Sequence, residues 1–298
     1  MDNFKSGYVA IVGRPNVGKS TILNALMGTK ISIISSKPQT TRNKILAIMS
    51  DSDSQVVFLD TPGFHKPKNK LGENMMKSLD NAVGDVDLVL MVVEPTLDRI
   101  ELEKSLIEKL SPNKCILVIN KIDTIKKENL LSVISEYSKL YNFEEIVPVS
   151  AKSLSNIDLL RNLIKDNMAI GPMYYPDDMI TDSTERELVA EIIREKMLYM
   201  LDKEVPHGIA IEIVKMKHRK KDGSDIYDIN ANIYCEKSSH KGIIIGQNGK
   251  TLKEIGTKAR IDAEKLLNSK VFMELWVKVK SDWRNSNSMI KEFGLSEN

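Results

Sequence analysis

The sequence has little cysteine, no long hydrophobic run and almost no net charge, and each shortage removes a class of protein. Cys115 and Cys235 are the only two cysteines in 298 residues. Both sit in apolar or strand-like contexts at no metal or redox spacing. That excludes a disulfide framework and reads as two core residues of a reducing compartment. The longest apolar run, Leu88-Val89-Leu90-Met91-Val92-Val93, is a buried strand and far too short to span a bilayer. A first strand is expected within ten residues of Met1, so no secretory leader is expected. A formal charge of +2 names no partner. With 42% apolar residues over this length, the expectation is two domains, each able to bury a core.

What is present begins at Gly13-Arg14-Pro15-Asn16-Val17-Gly18-Lys19-Ser20, which fits G-x-x-x-x-G-K-[ST]. An apolar β-branched strand, Tyr8 to Val12, precedes it, and a helix starts through Thr21 to Leu26. Glycines let the backbone wrap so that successive N–H groups point at phosphate oxygens. The helix N-terminus adds partial positive charge, Lys19 adds a full one, and Ser20 offers a hydroxyl to Mg²⁺. A Gly-rich turn between strand and helix is the plain alternative.

Three more segments follow, each at the carboxyl end of an apolar strand. Asp60-Thr61-Pro62-Gly63 follows Val56 to Leu59; the carboxylate can hold Mg²⁺ through its water shell, and the Gly63 N–H can reach a γ-phosphate. Asn120-Lys121-Ile122-Asp123 follows Cys115 to Ile119. Asp123 can accept from the N1–H and N2–H₂ edge of guanine, donors that adenine lacks. Ser150-Ala151-Lys152 follows Ile146 to Val149; the Ala151 N–H can meet guanine O6, and Lys121 and Lys152 can lay their stems along the base faces. Singly, each motif reads equally as a cap, a turn or a solvated loop. Together and in order they describe a guanine-nucleotide site at the strand ends of an open α/β sheet.

Pro38-Gln39-Thr40-Thr41-Arg42 lies in a polar stretch before the strand Ile45 to Met49. A threonine there can close onto Mg²⁺ and γ-phosphate with GTP and let go after hydrolysis, with Thr41 preferred to Thr40. The position after Gly63, where several GTPases carry a water-orienting glutamine, is Phe64, which cannot bond water. Intrinsic hydrolysis is therefore expected to be slow, or another group must act. In GTPases with a similar asparagine in the phosphate loop, that side chain helps bind K⁺, so Asn16 and K⁺ are candidates; a loop cap is the alternative for Asn16. The expected catalytic set is Lys19, Ser20, Thr41 and Gly63, and the metal set is Ser20, Thr41 and Asp60. Nucleotide contacts are expected from Gly13, Asn16, Val17, Gly18, Lys19, Ser20, Thr21, Asp60, Thr61, Pro62, Gly63, Asn120, Lys121, Asp123, Ser150, Ala151 and Lys152.

Strands alternate with helical patterns at Leu102 to Leu110, Leu130 to Tyr141 and Ile157 to Ile164, which predicts a mostly parallel sheet with helices on both faces. A Pro/Gly/Tyr-rich connector, Gly171 to Asp178, marks the domain boundary. Beyond it, Thr184 to Lys203 reads as an amphipathic helix. Ile209 to Val214 and Tyr227 to Tyr234 read as paired antiparallel strands, with Lys217 to Gly223 as a basic hairpin loop. A helix through Leu252, Ile255, Ala259, Ala263 and Leu266 and a last strand, Val271 to Val279, complete the pattern. Between helical stretches lies Gly246-Gln247-Asn248-Gly249, with Lys250 beside it. In KH domains a G-x-x-G turn clamps the backbone of about four nucleotides. A plain helix–turn–helix gives the same tetrapeptide. The order of elements fits a KH module, and Pro206 to Arg284 holds roughly sixteen Lys/Arg against ten Asp/Glu, an excess suited to phosphate contact. His218 and Arg219 individually read as solvated surface residues.

On Gly13 to Ser20, Gln39-Thr40-Thr41-Arg42, Asp60 to Phe64, Asn120 to Asp123, Ser150 to Lys152, Gly242 to Gly249 and Glu274 to Lys280, the chain resembles the bacterial Era family of ribosome-assembly GTPases over essentially its whole length. The fusion of GTPase motifs to a C-terminal KH module is the specific part. The resemblance implies a Ras-like P-loop NTPase domain, α/β with a doubly wound, mostly parallel sheet, over residues 1–170. It implies a linker over 171–183, an α+β type II KH domain over 184–285 and a tail over 286–298. It implies hydrolysis of GTP to GDP with Mg²⁺, and GTP-favoured binding of the 3′ end of 16S ribosomal RNA in assembly of the 30S subunit. RNA contacts are expected from Lys241, Gly242, Ile245, Gly246, Gln247, Asn248, Gly249 and Lys250. A cytoplasmic monomer is expected, with peripheral membrane association in some members. Two alternatives stay open: a GTP-regulated protein acting on protein or membrane partners, and a non-catalytic RNA-binding protein that uses GTP as a structural ligand.

Overall fold

The computed structural model describes residues 3–35, 37–110, 114–221 and 223–296. The chain forms two compact units, the first running to Asp182 without Lys68–Leu71, the second taking that segment and everything from Ser183.

In chain order the first stretch holds β1 (Lys5–Val12), α1 (Lys19–Met27), β2 (Ile45–Ser50), β3 (Ser54–Asp60), α2 (Lys70–Gly84), β4 (Leu88–Val93) and α3 (Ile100–Leu110). It continues with β5 (Cys115–Ile119), α4 (Lys127–Tyr137), β6 (Glu145–Pro148), α5 (Ile157–Asp166) and β7 (Ala169–Ile170). The sheet order is β2-β3-β1-β4-β5-β6, with β7 added on β1. β3, β1, β4, β5 and β6 run parallel; β2 and β7 are antiparallel to their neighbours. The order reverses beside β1, and a ligand crevice forms at the strand carboxyl ends at such a point.

Alternation along the strands divides the core. Val9 and Ile11 of β1 pack with Ile22, Leu23 and Leu26 of α1 and Leu160 and Ile164 of α5. Ala10 and Val12 point the other way, into Leu79, Leu106, Leu110, Val133 and Tyr137 from α2, α3 and α4. Strands buried on both faces read as near-continuous apolar runs, which is why the sequence marks them so clearly. Helix α2 is absent from the pattern above. Its buried Leu71, Met75, Leu79, Ala82 and Val83 recur at helical spacing, diluted by Lys, Asn and Asp.

The connector Gly171 to Asp178 and the residues after it to Asp182 cover the open edge of this sheet. Gln55 Oε1 accepts from the N–H groups of Tyr174 and Tyr175 at 2.7 and 3.0 Å. The Ile48 N–H donates to Ile180 O at 3.0 Å, and Thr181 Oγ1 donates to Leu46 O at 2.7 Å. Unpaired edge groups of β2 need partners, and the chain supplies them before leaving the unit.

The second stretch holds α6 (Glu185–Met200), β8 (Ala210–Lys221), β9 (Ser224–Cys235), α7 (Ser238–Ile245), α8 (Lys250–Leu267), β10 (Lys270–Val279) and α9 (Asn287–Glu292). Thr184 opens α6 with a capping box: its hydroxyl accepts from the Glu187 N–H, and Glu187 Oε2 accepts from the Thr184 N–H at 2.8 Å. The sheet order is β10-β9-β8, β9–β10 parallel and β8–β9 antiparallel. Ile193 and Met197 of α6, Ile244 of α7 and Ile255, Ala259 and Ala263 of α8 share one core with Ile229, Ala231 and Ile233. One expectation is corrected. Lys217 to Lys221 belong to β8, not to a hairpin loop, and only Gly223 is seen in the turn; Asp222 lies outside the described residues. Acidic cross-strand partners extend the ladder: Arg219 Nε meets Asp228 Oδ2 at 2.7 Å and His218 Nε2 meets Asp225 Oδ1 at 2.9 Å.

Candidate nucleotide site and RNA-facing turn

The phosphate loop closes only because three of its contact points lack a side chain. Gly13 has φ 150° and Gly18 φ 100°. A Cβ at Gly13 would lie 2.3 Å from Val92 O, one at Gly18 2.2 Å from Asn120 Nδ2, and one at Gly63 2.7 Å from Pro15 N. Asn120 is the hub. Its Nδ2 donates to Val17 O at 2.9 Å, and its Oδ1 accepts from the Ala151 N–H at 3.1 Å. One buried side chain thus ties the phosphate loop to Ser150-Ala151-Lys152. Asp123 is exposed, and Ser150 Oγ donates to its Oδ1 at 2.6 Å. That bond, helped by Lys152 and Lys121, holds the carboxyl below its ordinary range. Lys121 Nζ donates to Asn16 O at 2.7 Å and pairs with Glu94; Lys152 is exposed.

At the other end Lys19, 6% exposed, donates to Gly13 O at 3.2 Å and Arg14 O at 3.1 Å. Burial lowers its pKa to about 8, opposed by Asp60. Asp60 is fully buried. Its Oδ2 accepts from Ser20 Oγ at 2.7 Å and Ser32 Oγ at 3.0 Å, and its Oδ1 has no hydrogen-bond partner among the described residues. Burial raises its pKa. Ser20 Oγ also meets Thr41 Oγ1 at 3.0 Å, whereas Thr40 Oγ1 is turned onto Lys37 O at 2.6 Å. An orphaned buried carboxylate oxygen beside two hydroxyls is the all-oxygen donor set that suits Mg²⁺. Thr61 donates its hydroxyl to Ile11 O at 2.8 Å, and Pro62 is buried beside it; these two shape the strand end and line no part of the cleft. Val17 is buried in the core, while Asn16, Gly18, Lys19, Ser20, Thr21, Thr41, Gly63 and Lys121 line a cleft of about 370 Å³.

Several groups of this site escape sequence reasoning. Ser32 reaches Asp60 because Asn24 on α1 grips its segment, accepting from the Ile31 and Ser32 N–H groups at 2.9 Å each. Phe64 donates its N–H to Gly13 O at 3.0 Å, and its half-buried ring packs against the core beside α2 and α3. The next residue, His65, donates Nδ1–H to Gly63 O at 2.7 Å, which leaves Nε2 to accept from Gln39 Nε2 at 3.2 Å. Gln39 has φ 60° and lines the cleft. Arg14 pairs with Glu103 at 2.7 Å, which also takes the Tyr137 hydroxyl. Nothing local in the sequence marks these long-range pairs.

In the second unit, Gly246 has φ 72°, Asn248 φ 51° and Gly249 φ 75°. A Cβ at Gly246 would strike Thr251 Oγ1 at 2.2 Å; one at Gly249 would meet none of the described residues within 4 Å. Gly242, Gln247, Asn248 and Lys250 are exposed, and Lys241 is half-buried. Ile245 packs partly against the core, while Ile243 is exposed. Beside the turn, Gly249, Leu252, Lys253, Gly256, Thr257, Arg260, Met273 and Leu275 line a groove of about 360 Å³ between α8 and β10. Of these only Gly249 is among the residues expected from the sequence.

Comparison with known proteins agrees with both units. The family description "50S ribosome-binding GTPase" matches residues 8–121, and "KH domain" matches residues 204–284. GTPase Era of Clostridium kluyveri is 51% identical over 292 residues, 97% of this chain and 99% of its own. GTPase Era of Clostridium botulinum is 53% identical over 293 residues, 98% of each. A crystal structure of an Aquifex aeolicus Era variant bound to GDP and AlF₄⁻ superposes with a TM-score of 0.95 at 39% identity, covering 99% of this chain and all of that one. An Era complex with MgGDPNP and nucleotides 1506–1542 of 16S ribosomal RNA gives 0.94 at 40% identity, covering 99% and 100%.

Proposed function

This chain belongs to the GTPase Era family, and from that premise we propose that it is a GTP-driven switch that binds the 3′ end of 16S ribosomal RNA during assembly of the 30S subunit. It is a GTPase, converting GTP and water to GDP and phosphate. The observation that carries the reading is the Asn120 hub, which holds the phosphate loop and the base-reading segment in one frame.

Asp123 accepts from the guanine edge, and Ser150 fixes its orientation. Lys19 and the backbone N–H groups at the start of α1 neutralise and orient the phosphates. Ser20, Thr41 and Asp60 would hold Mg²⁺, which when bound draws charge from the phosphate oxygens. Phe64, packed against the core, leaves the γ-phosphate end of the cleft to Gln39. With its amide nitrogen held by His65, the Gln39 carbonyl oxygen is free to accept from water. Asn16 remains the candidate for a K⁺ site, and equal turnover in K⁺ and Na⁺ would remove it.

RNA binds along the groove beside Gly246 to Gly249, where absent side chains let the nucleotide backbone approach. If GTP favours the RNA-bound form, RNA favours GTP by the same free energy. The place of action is the cytoplasm. Among the described residues no helix is long and apolar enough to cross a membrane, and contact with a membrane surface would be peripheral. The test is binding of a 16S 3′-end RNA with GDP and with a non-hydrolysable GTP analogue at fixed salt. Tight binding with the analogue alone supports the switch; equal affinity in both states refutes it.

A further inference from the structure

We infer that the open face of the three-stranded sheet, around Phe272 and Trp276, is a second RNA-contacting surface on which unpaired bases stack. This rests on the RNA-binding reading above. Helices α6, α7 and α8 cover one face of the sheet, taking Ile229, Ala231, Ile233, Val271 and Val277. By strand alternation, Phe272, Glu274, Trp276 and Lys278 of β10 point to the other face. The register sets Trp276 beside Asn232 and Phe272 beside Asp228. One end of that face is closed: Tyr234 lies 4.9 Å from Phe293, which meets the fully buried Trp283 edge-on at 5.4 Å. The remainder is bare, with Phe272 53% and Trp276 61% exposed.

The floor beneath the two rings decides what fits them. Asn232 Nδ2 and the Tyr234 hydroxyl both donate to Glu212, at 2.9 and 2.7 Å. Arg219 occupies Asp228. Two of the acids are thereby engaged, while Lys215 and Lys217 stand opposite Asn230 and Asp228 on the same face and Lys278 lies over the Tyr234 ring at 6.0 Å. Isolated rings over a polar, hydrogen-bonding floor with lysines around them match bases and phosphates. A lipid surface calls instead for a continuous apolar face. Glu274, between the rings, is an acceptor for base amino groups. The surface is also continuous with the groove: Met273 and Leu275 line the groove from the same edge strand. A strand of RNA leaving the groove over β10 meets Phe272 and Trp276 next.

The chain has two tryptophans, and Trp283 is fully buried and shielded from contact with RNA, so an RNA-dependent change in emission above its constant background reports Trp276. The experiment titrates full-length protein, loaded with a non-hydrolysable GTP analogue, with labelled RNA of 16S nucleotides 1506–1542. It follows RNA anisotropy and tryptophan emission together. The expected result is quenching by RNA, absent in Trp276→Ala, and roughly tenfold weaker binding in Trp276→Ala and in Phe272→Ala. Trp276→Phe should restore affinity. RNA-free GTP turnover and melting temperature are the folding controls and should not move. Tight binding that Gly249→Asp abolishes, with no quenching and full affinity in Trp276→Ala, overturns the second surface and leaves the groove intact. No RNA binding by the unmodified protein overturns both. A shift of Trp276 emission by phosphatidylglycerol vesicles without any response to RNA makes the face a lipid contact and also overturns the inference.

Discussion

Gly18 and Gly249 both hold a positive φ at the start of a helix, yet they answer to different constraints. At Gly18 the missing side chain makes room for Asn120, and the groups around it are sealed: Lys19 is 6% exposed and Asp60 fully buried. At Gly249 an added side chain would meet none of the described residues within 4 Å, and its neighbours Asn248 and Lys250 are exposed. The first site is assembled inside the protein, and its glycines are required by the protein's own packing. The second is a surface turn: Gly246 is required by its own neighbour Thr251, whereas Gly249 leaves open space for the proposed approach of RNA. A buried site spends folding energy to hold charges ready for phosphates; an open turn leaves that cost to the binding step.

The comparison breaks hardest at Lys19. Lys19→Ala removes the full positive charge at the phosphate end, and GTP turnover by phosphate release should fall about a thousandfold. Residual turnover near the unmodified rate would mean that the buried ammonium is not what serves the phosphates. Next, Asp123→Ala should weaken guanine nucleotide binding about a hundredfold and leave the melting temperature unchanged, because the carboxylate is exposed. Its pKa is held low, chiefly by Ser150. The ionised, accepting form therefore persists as pH falls through the ordinary carboxylate range, and GTP-over-ATP preference should be flat from neutral pH to about pH 5. Selectivity lost already near pH 6 would contradict this.

A third test opposes the two glycines directly. Gly18→Ala should destabilise by at least about 2 kcal/mol, from collision with Asn120 added to backbone strain, whereas Gly249→Asn should cost under about 1 kcal/mol because asparagine tolerates this conformation. Chemical unfolding of both variants measures the gap, and equal losses would erase the distinction drawn here. The smallest effect is set at the cleft mouth. Gln39→Ala should lower kcat about tenfold with KM unchanged, since its carboxamide is proposed to meet water and not the ground-state nucleotide. A rise in KM alone would make Gln39 a binding residue.

How much could be read from the chain varies with the range of the contact involved. The strands of the first sheet are legible because burial on both faces forces runs such as Leu88 to Val93. Helix α2 is less so, because its apolar stripe is narrow and intact only on one face, with Gly, Asn, Lys and Asp filling the rest of the segment. The basic segment 217–221 looks like a loop by composition but is strand, since cross-strand acids at Asp225 and Asp228 neutralise part of it. In the nucleotide site the phosphate loop, Asp60, Asn120 and Asp123 are legible from spacing. Ser32, Gln39, His65 and the Arg14–Glu103–Tyr137 chain are not, because each depends on a partner far away in sequence.

The sequence by itself determined the motifs, their order at strand ends and the change of rhythm after residue 170. Those are local properties, fixed by spacing, side-chain alternation and the φ preferences of glycine. Only the tertiary structure decided which threonine meets Ser20, that Phe64 is turned against the core, and that Phe272 and Trp276 stand uncovered on one side of an edge strand while Met273 and Leu275 line a groove on the other. Those outcomes depend on which segments pack together, and packing is settled by the whole fold because burial and hydrogen-bond satisfaction are shared among residues distant in the chain.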